Sequence, residues 1–189
     1  MAAAPSGELA SLIATLETLS GTVRERFGPL SPLQINWQPA ADRWSVAQSV
    51  DHLITTTATY VPAFDAGLAG RYTPTLWQRM PWLPGVFGRL VQKAVHPDSA
   101  RAHKAPGVFR PSASDLDAGI VKRFVDQQAR LIDVFTRSAG LDLDRIVIPS
   151  AISSLVVYSL FDAFRIVVLH EQRHANQAIR VTDAPGFPS

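Results

Sequence analysis

Leu169-His170-Glu171-Gln172-Arg173-His174 places two of the chain's five histidines one helical turn apart, late in a sequence that contains no cysteine. Residues at i and i+4 share a helix face, so both imidazoles can reach one metal ion. Around this stretch Leu160, Ala163, Phe164, Val167, Ala178 and Val181 recur at helical spacing and form an apolar stripe. His174 and Glu171 fall inside the stripe and His170 on its edge, while Asp162, Arg165, Arg173 and Arg180, with Gln172 and Asn176, take the opposite face. The pattern predicts a terminal helix, capped by Ser159-Leu160-Phe161-Asp162 and running to about residue 182, that aims His170, Glu171 and His174 at the core. A buried ionisable cluster is costly unless it is paired or metal-bound, which marks the trio as a candidate site.

Three more helical patterns precede it. Leu9, Leu12, Ile13, Leu16, Leu19, Val23 and Phe27 keep helical spacing until Gly28-Pro29, giving a first helix over about 7–27. After a turn-rich link with Pro29, Pro32 and Pro39, Ser45-Val46-Ala47-Gln48 is a capping-box signature, and Val46, Val50, Leu53, Thr57, Tyr60, Val61 and Phe64 carry a second helix to about 67, with a kink expected at Pro62. Residues 68–113 are proline-rich and irregular except for a short helix over 84–96. Ser114-Asp115-Leu116-Asp117 is read as the cap of a third helix, whose Leu116, Ile120, Phe124, Ile132 and Phe135 repeat until Gly140. The link that follows holds β-branched runs at Ile146-Val147-Ile148 and Leu155-Val156-Val157-Tyr158, suited to short extended segments or a buried loop. Four antiparallel helices with long crossovers at 68–113 and 140–159 read as an all-α bundle in one domain, 1–189.

Composition bounds the function. The chain is 189 residues long and 47% hydrophobic, enough for one domain with a core. Without cysteine, any metal must be held by nitrogen and oxygen, and there is no thiolate nucleophile. The opening Met1-Ala2-Ala3-Ala4-Pro5 lacks the charged and apolar regions of a secretory signal, and the run from Ile146 to Phe161 is too short and broken to span a bilayer. A cytoplasmic protein without a transmembrane segment is expected. From Arg71 to Pro111 seven bases face the single acid Asp98, a patch able to attract anions, yet no nucleic-acid motif accompanies it and no nucleic-acid partner is expected. Trp77, Met80, Trp82 and Phe87 in this link are expected to pack the crossover.

Two ligands on one turn do not complete a divalent site, so a third must come from His52, His96 or His103. His96 and His103 lie in the basic link, where solvent-facing histidines are commoner. His52 stands about 120° off the apolar stripe of its helix at about 100° per residue, so periodicity alone does not nominate it.

Trp44-Ser45-Val46-Ala47-Gln48-Ser49-Val50-Asp51-His52-Leu53 resembles the "W-S-h-x-x-x-h-x-H-L" opening of helix two in DinB-like proteins, and His170-Glu171-x-x-His174-x-x-Gln177 resembles their last-helix "H-x-x-x-H-x-x-Q". The stretch from Lys104-Ala105-Pro106 to Phe109-Arg110-Pro111 is similar to the "K-A-P-x-x-F-x-P" of one subgroup. The resemblance covers nearly the whole chain. It implies a four-helix up-down-down-up bundle in which His52, His170 and His174 bind zinc, nickel or iron, and a homodimer. Read literally, His170 to His174 is also the H-E-x-x-H of zinc proteases, whose third ligand lies downstream. Only 15 residues follow His174, with neither histidine nor glutamate among them, which argues against that reading.

Three neutral imidazoles would leave a metal its full double charge, enough to deprotonate a small thiol, whose free pKa is about 8.5, or a water. Among characterised relatives the resemblance implies transfer of a low-molecular-weight thiol to an electrophile; hydrolysis would use the same site, and a non-enzymatic metal-dependent binding module for stress responses is the alternative. Glu171 is read either as the base or as support for an imidazole, and Gln177 as a further support. Trp44 is expected to plug the bundle end.

Overall fold

A computed structural model of the chain describes residues 6–80, 82–98, 115–117, 119–151, 153 and 155–189. Six helices are present among them: α1 (Ser6–Phe27), α2 (Pro32–Asn36), α3 (Val46–Leu68), α4 (Leu83–Val95), α5 (Ile120–Arg137) and α6 (Leu160–Thr182). Two short strands, β1 (Val147–Pro149) and β2 (Val157–Ser159), pair antiparallel with Ile148 opposite Tyr158. The four long helices are those expected, and α4 is the short helix of the proline-rich link.

The caps explain most of the boundaries. Ser45 Oγ accepts from Gln48 N at 3.1 Å while Gln48 Oε1 accepts from Ser45 N at 3.0 Å, the reciprocal pair that starts α3. Ser31 and Gln34 make the same box around α2, a helix the proline-rich reading of 29–39 overlooked although Ser31-Pro32-Leu33-Gln34 carries its signature. α3 continues as one helix through Pro62. The third long helix starts later than Ser114-Asp115-Leu116-Asp117 implied. Ser114 lies outside the described residues, and Asp117 closes a turn before the helix by accepting from Gly119 N at 2.8 Å and from Arg123 Nη1 at 2.9 Å.

Two apolar clusters fix the directions of the helices. One collects Leu9 and Leu16 from the start of α1, Tyr60 and Phe64 from the end of α3, Leu131, Val134 and Phe135 from the end of α5, and Leu160 to Val168 from the start of α6. The other collects Val23 and Phe27 from the end of α1, Val46, Val50 and Leu53 from the start of α3, Ile120 and Phe124 from the start of α5, and Ala178 and Val181 from the end of α6. α1 and α6 therefore run one way and α3 and α5 the other, an up-down-down-up order. α1 and α3 both pack against α5 and α6, which puts α1 diagonal to α3 and α5 diagonal to α6.

This order corrects the sequence reading of the links. Only the link from α3 to α5 must traverse the length of the bundle, with α4 lying along α6 and β2. The link from α5 to α6 stays at one end as the β1–β2 hairpin. α4 lies close to α6 at Gly88, where an added Cβ would sit 2.3 Å from Asp162 Oδ2. Asp162 also accepts from Gln92 Nε2 at 2.8 Å and from Arg165 Nη1 at 3.2 Å, and Arg165 reaches on to Glu8 of α1.

Between the two clusters lies a polar layer. On α3 it is Thr56 and Thr57, on α5 Gln128 and on α6 Glu171, each placed in sequence between the residues of one cluster and those of the other.

Candidate metal centre

His52 occupies the second turn of α3, whose start is set by the Ser45 box, and it is only 4% exposed. Its position off the apolar stripe still buries it, because α3 packs against both α5 and α6 and Trp44 covers its first turns. His170 and His174, half-buried on successive turns of α6, face it. His52 Nε2 and His170 Nε2 are 3.2 Å apart, and one ligand atom from each of the three histidines lies within 4.8 Å of the others. Two imidazole nitrogens bound to one tetrahedral ion at about 2.0–2.1 Å would be separated by about 3.3 Å. The donor set thus fits a divalent ion of the nitrogen-preferring class. His96 is exposed and stands outside the cluster, while His103 is outside the described residues.

The surroundings of the three rings orient them. His174 Nδ1 lies 3.0 Å from Gln177 Oε1; an amide oxygen has no proton, so the imidazole donates and its Nε2 keeps a lone pair for a metal. Trp44 stacks on His174 with ring centroids 5.7 Å apart and 28° between planes, and tilts over His52 at 4.9 Å. Its place is against the His52 and His174 rings. No periodicity marks this role.

Glu171, the remaining member of the trio, is 0% exposed and points into the polar layer. Its Oε1 accepts from Thr57 Oγ1 and from Gln128 Nε2, both at 2.9 Å, so one carboxylate ties α6 to α3 and to α5. Sequence reasoning missed Thr57 and Gln128 as its partners. Thr57 read as an apolar-stripe position, and Gln128 is a lone amide on an amphipathic helix.

Burial, reinforced by the neighbouring His174, His52 and Arg173, holds the His170 imidazole well below the usual range. Burial and the nearby His52 push His174 down to about 3, and burial lifts Glu171 to about 7 against the hydrogen bonds from Gln128 and Thr57. The signs oppose in the metal-free protein. As the pH falls below about 6.5 the unfolded chain protonates both histidines while burial opposes this in the folded chain, and Glu171, raised to about 7, takes up its proton earlier in the folded chain than in the unfolded one. The depressed histidines therefore cost stability as the pH falls through their ordinary range, and Glu171 offsets part of that loss. Glu171→Gln removes the offset and should steepen the acid-side loss of stability, a result readable from urea midpoints of the metal-free protein at several pH values.

A family model for the DinB superfamily matches residues 15–178. The chain belongs to the DinB superfamily. No curated protein matches it by sequence. Among solved structures, this DinB-superfamily chain is similar to YfiT from Bacillus subtilis, with a TM-score of 0.62 at 12% identity over 100% of this chain and 93% of that one. YfiT is described as "a probable metal-dependent hydrolase with an unusual four-helix bundle topology". At that identity the likeness carries the fold alone, a four-helix bundle.

Proposed function

We propose that this DinB-superfamily protein is a divalent-metal-dependent enzyme that activates a small thiol or a water for attack on a small-molecule electrophile. The observation that carries the reading is the convergence of three imidazoles, from two helices, at metal-ligand spacing inside a bundle without cysteine. A bound divalent ion would supply Lewis acidity, lowering the pKa of a thiol or a water toward neutrality.

The chain's own residues have separate tasks. His52, His170 and His174 hold the ion as neutral donors, leaving its charge undiminished. Gln177 fixes the His174 tautomer, and Trp44 shields His52 and His174 on one side. Glu171 is a positioning residue: with Thr57 and Gln128 it locks the spacing between α3 and α6, and so between His52 and the α6 pair. Fully buried and twice hydrogen-bonded, it is poorly placed to meet a substrate.

The test is turnover by zinc-, nickel- or iron-loaded protein of a panel of low-molecular-weight thiols with electrophiles, and of esters and amides with water. Metal-dependent turnover in the first set assigns a thiol transferase and in the second a hydrolase, the activity given for YfiT. Saturable binding without turnover in either assigns a metal-dependent binding module. Glu171→Gln is expected to weaken metal binding about tenfold with activity per bound metal nearly unchanged. A loss of about 100-fold or more in activity at full metal occupancy would instead make Glu171 the general base.

A further inference from the structure

The crossover carries a surface that the candidate metal centre does not use. Eight large hydrophobic side chains are exposed among the described residues, and five of them, Leu76, Trp77, Met80, Trp82 and Leu90, fall within fifteen residues of one another. Leu76 is 87% exposed and Trp82 and Leu90 are each 59% exposed. The expectation that these side chains pack the crossover fails for Trp82, whereas Trp77 and Met80, each 37% exposed, are only partly open to solvent. The bundle is already closed by α5 and α6, and α4 spends its inward face, Leu83, Gly88, Val91 and Val95, on the core.

The outward stripe of α4 mixes two chemistries. Val86, Arg89, Leu90 and Lys93 recur at helical spacing on the side away from α6, directly after Trp82, and Arg89, Leu90 and Lys93 are all exposed. From Ala66 to Pro97 the sequence contains no aspartate or glutamate, and four bases, Arg71, Arg79, Arg89 and Lys93, lie within it. Apolar and tryptophan side chains enter the headgroup boundary of a bilayer, while arginine and lysine stems lie along the apolar surface and lift their charges to lipid phosphates. A water-facing helix would mix acids with its bases. Among the described residues no helix is long and apolar enough to cross a membrane, and the contact proposed lies on the bilayer surface.

We infer that the crossover face formed by Leu76, Trp77, Trp82, Arg89, Leu90 and Lys93 docks on anionic lipid bilayers. The same contact would bring the metal centre close to the membrane, because Arg173 of α6 donates to Ala94 O at 3.0 Å and to His96 O at 3.3 Å, joining the end of α4 to the turn between His170 and His174. The docking itself is independent of what the centre catalyses.

The experiment is co-sedimentation of the full chain with unilamellar vesicles of phosphatidylcholine alone or with a quarter phosphatidylglycerol. Binding is expected only with the anionic vesicles, and to collapse near 1 M salt, where the Debye length falls to about 3 Å from about 10 Å at 0.1 M. Arg89→Gln and Lys93→Gln should each weaken partitioning about fivefold, the effect of removing one charge near such a surface. Trp82→Ser with Leu90→Ser should weaken it more than tenfold, with helix content and zinc uptake unchanged to show that the variant folds. Absence of binding to anionic vesicles at low salt overturns the proposal, as does binding that these four substitutions leave intact. If Trp82→Ser with Leu90→Ser instead converts a dimer to a monomer while wild-type protein ignores vesicles, the face belongs to a second copy of the chain.

Discussion

Replacing His174 with alanine should lower zinc retention by more than ~100-fold while leaving the helix content intact. Losing a group that merely supports a ligand costs about 10- to 100-fold in affinity, so losing a ligand costs at least the upper end. The two imidazoles left, 3.2 Å apart at their Nε2 atoms, cannot complete a stable divalent site alone. The fold does not depend on them. The apolar clusters at both ends of the bundle are complete without the ring, and removing a depressed imidazole also removes an acid-side penalty in the metal-free state. Metal content after purification without a histidine tag, with circular dichroism beside it, checks both halves. Retention of a full equivalent of zinc by His174→Ala would dismiss the proposed ligand set.

The largest stability effect is expected at Phe164, which sits fully buried between α3 and α5. Its ring stacks on Phe135 with centroids 3.8 Å apart and meets Phe64 edge-on at 5.0 Å. Phe164→Ala should destabilise the protein by about 3–5 kcal/mol, because the surrounding rings cannot collapse into the space left. Against a usual total of about 5–15 kcal/mol, that is enough to shift the urea midpoint sharply. Saturating zinc at about 100 times its dissociation constant should return about 2.7 kcal/mol, if the ion binds the folded state alone. A Phe164→Ala midpoint within experimental error of wild type would mean that the Phe64, Phe135 and Phe164 cluster is not the packing anchor described.

How far these features could be read in advance follows from what each depends on. The long helices, the Ser45 and Ser159 caps and the inward trio on α6 rest on local periodicity and local hydrogen bonds, and they were legible. His52 was not legible from periodicity, since its burial is set by a neighbouring helix 118 positions away in sequence; only the resemblance to the family pointed to it. Thr57 and Gln128 escaped for the same reason, because their partner Glu171 is met only in three dimensions. The start of α5 was misplaced because the Asp117 carboxylate serves a turn, accepting from Gly119 N, rather than a helix cap. Trp82 was misassigned because apolar composition does not say which side of an already filled bundle a segment will occupy.

The diagonal placement of α1 against α3 and of α5 against α6 has a kinetic consequence. In a bundle of successive hairpins each helix can zip onto the one just made. Here neither α1 and α3 nor α5 and α6 pack on each other, α3 meets α5 only after the long crossover, and the two halves of the histidine triad must wait for that crossover to close. Non-local closure of this kind slows the search, so folding should lag behind that of a hairpin-built bundle of equal length. An ion cannot nucleate such a structure early, because its three donors meet only when the chain is nearly finished. Zinc would then exchange with a protein already built, on a timescale of its own, and a chelator could strip it without waiting for the bundle to come apart.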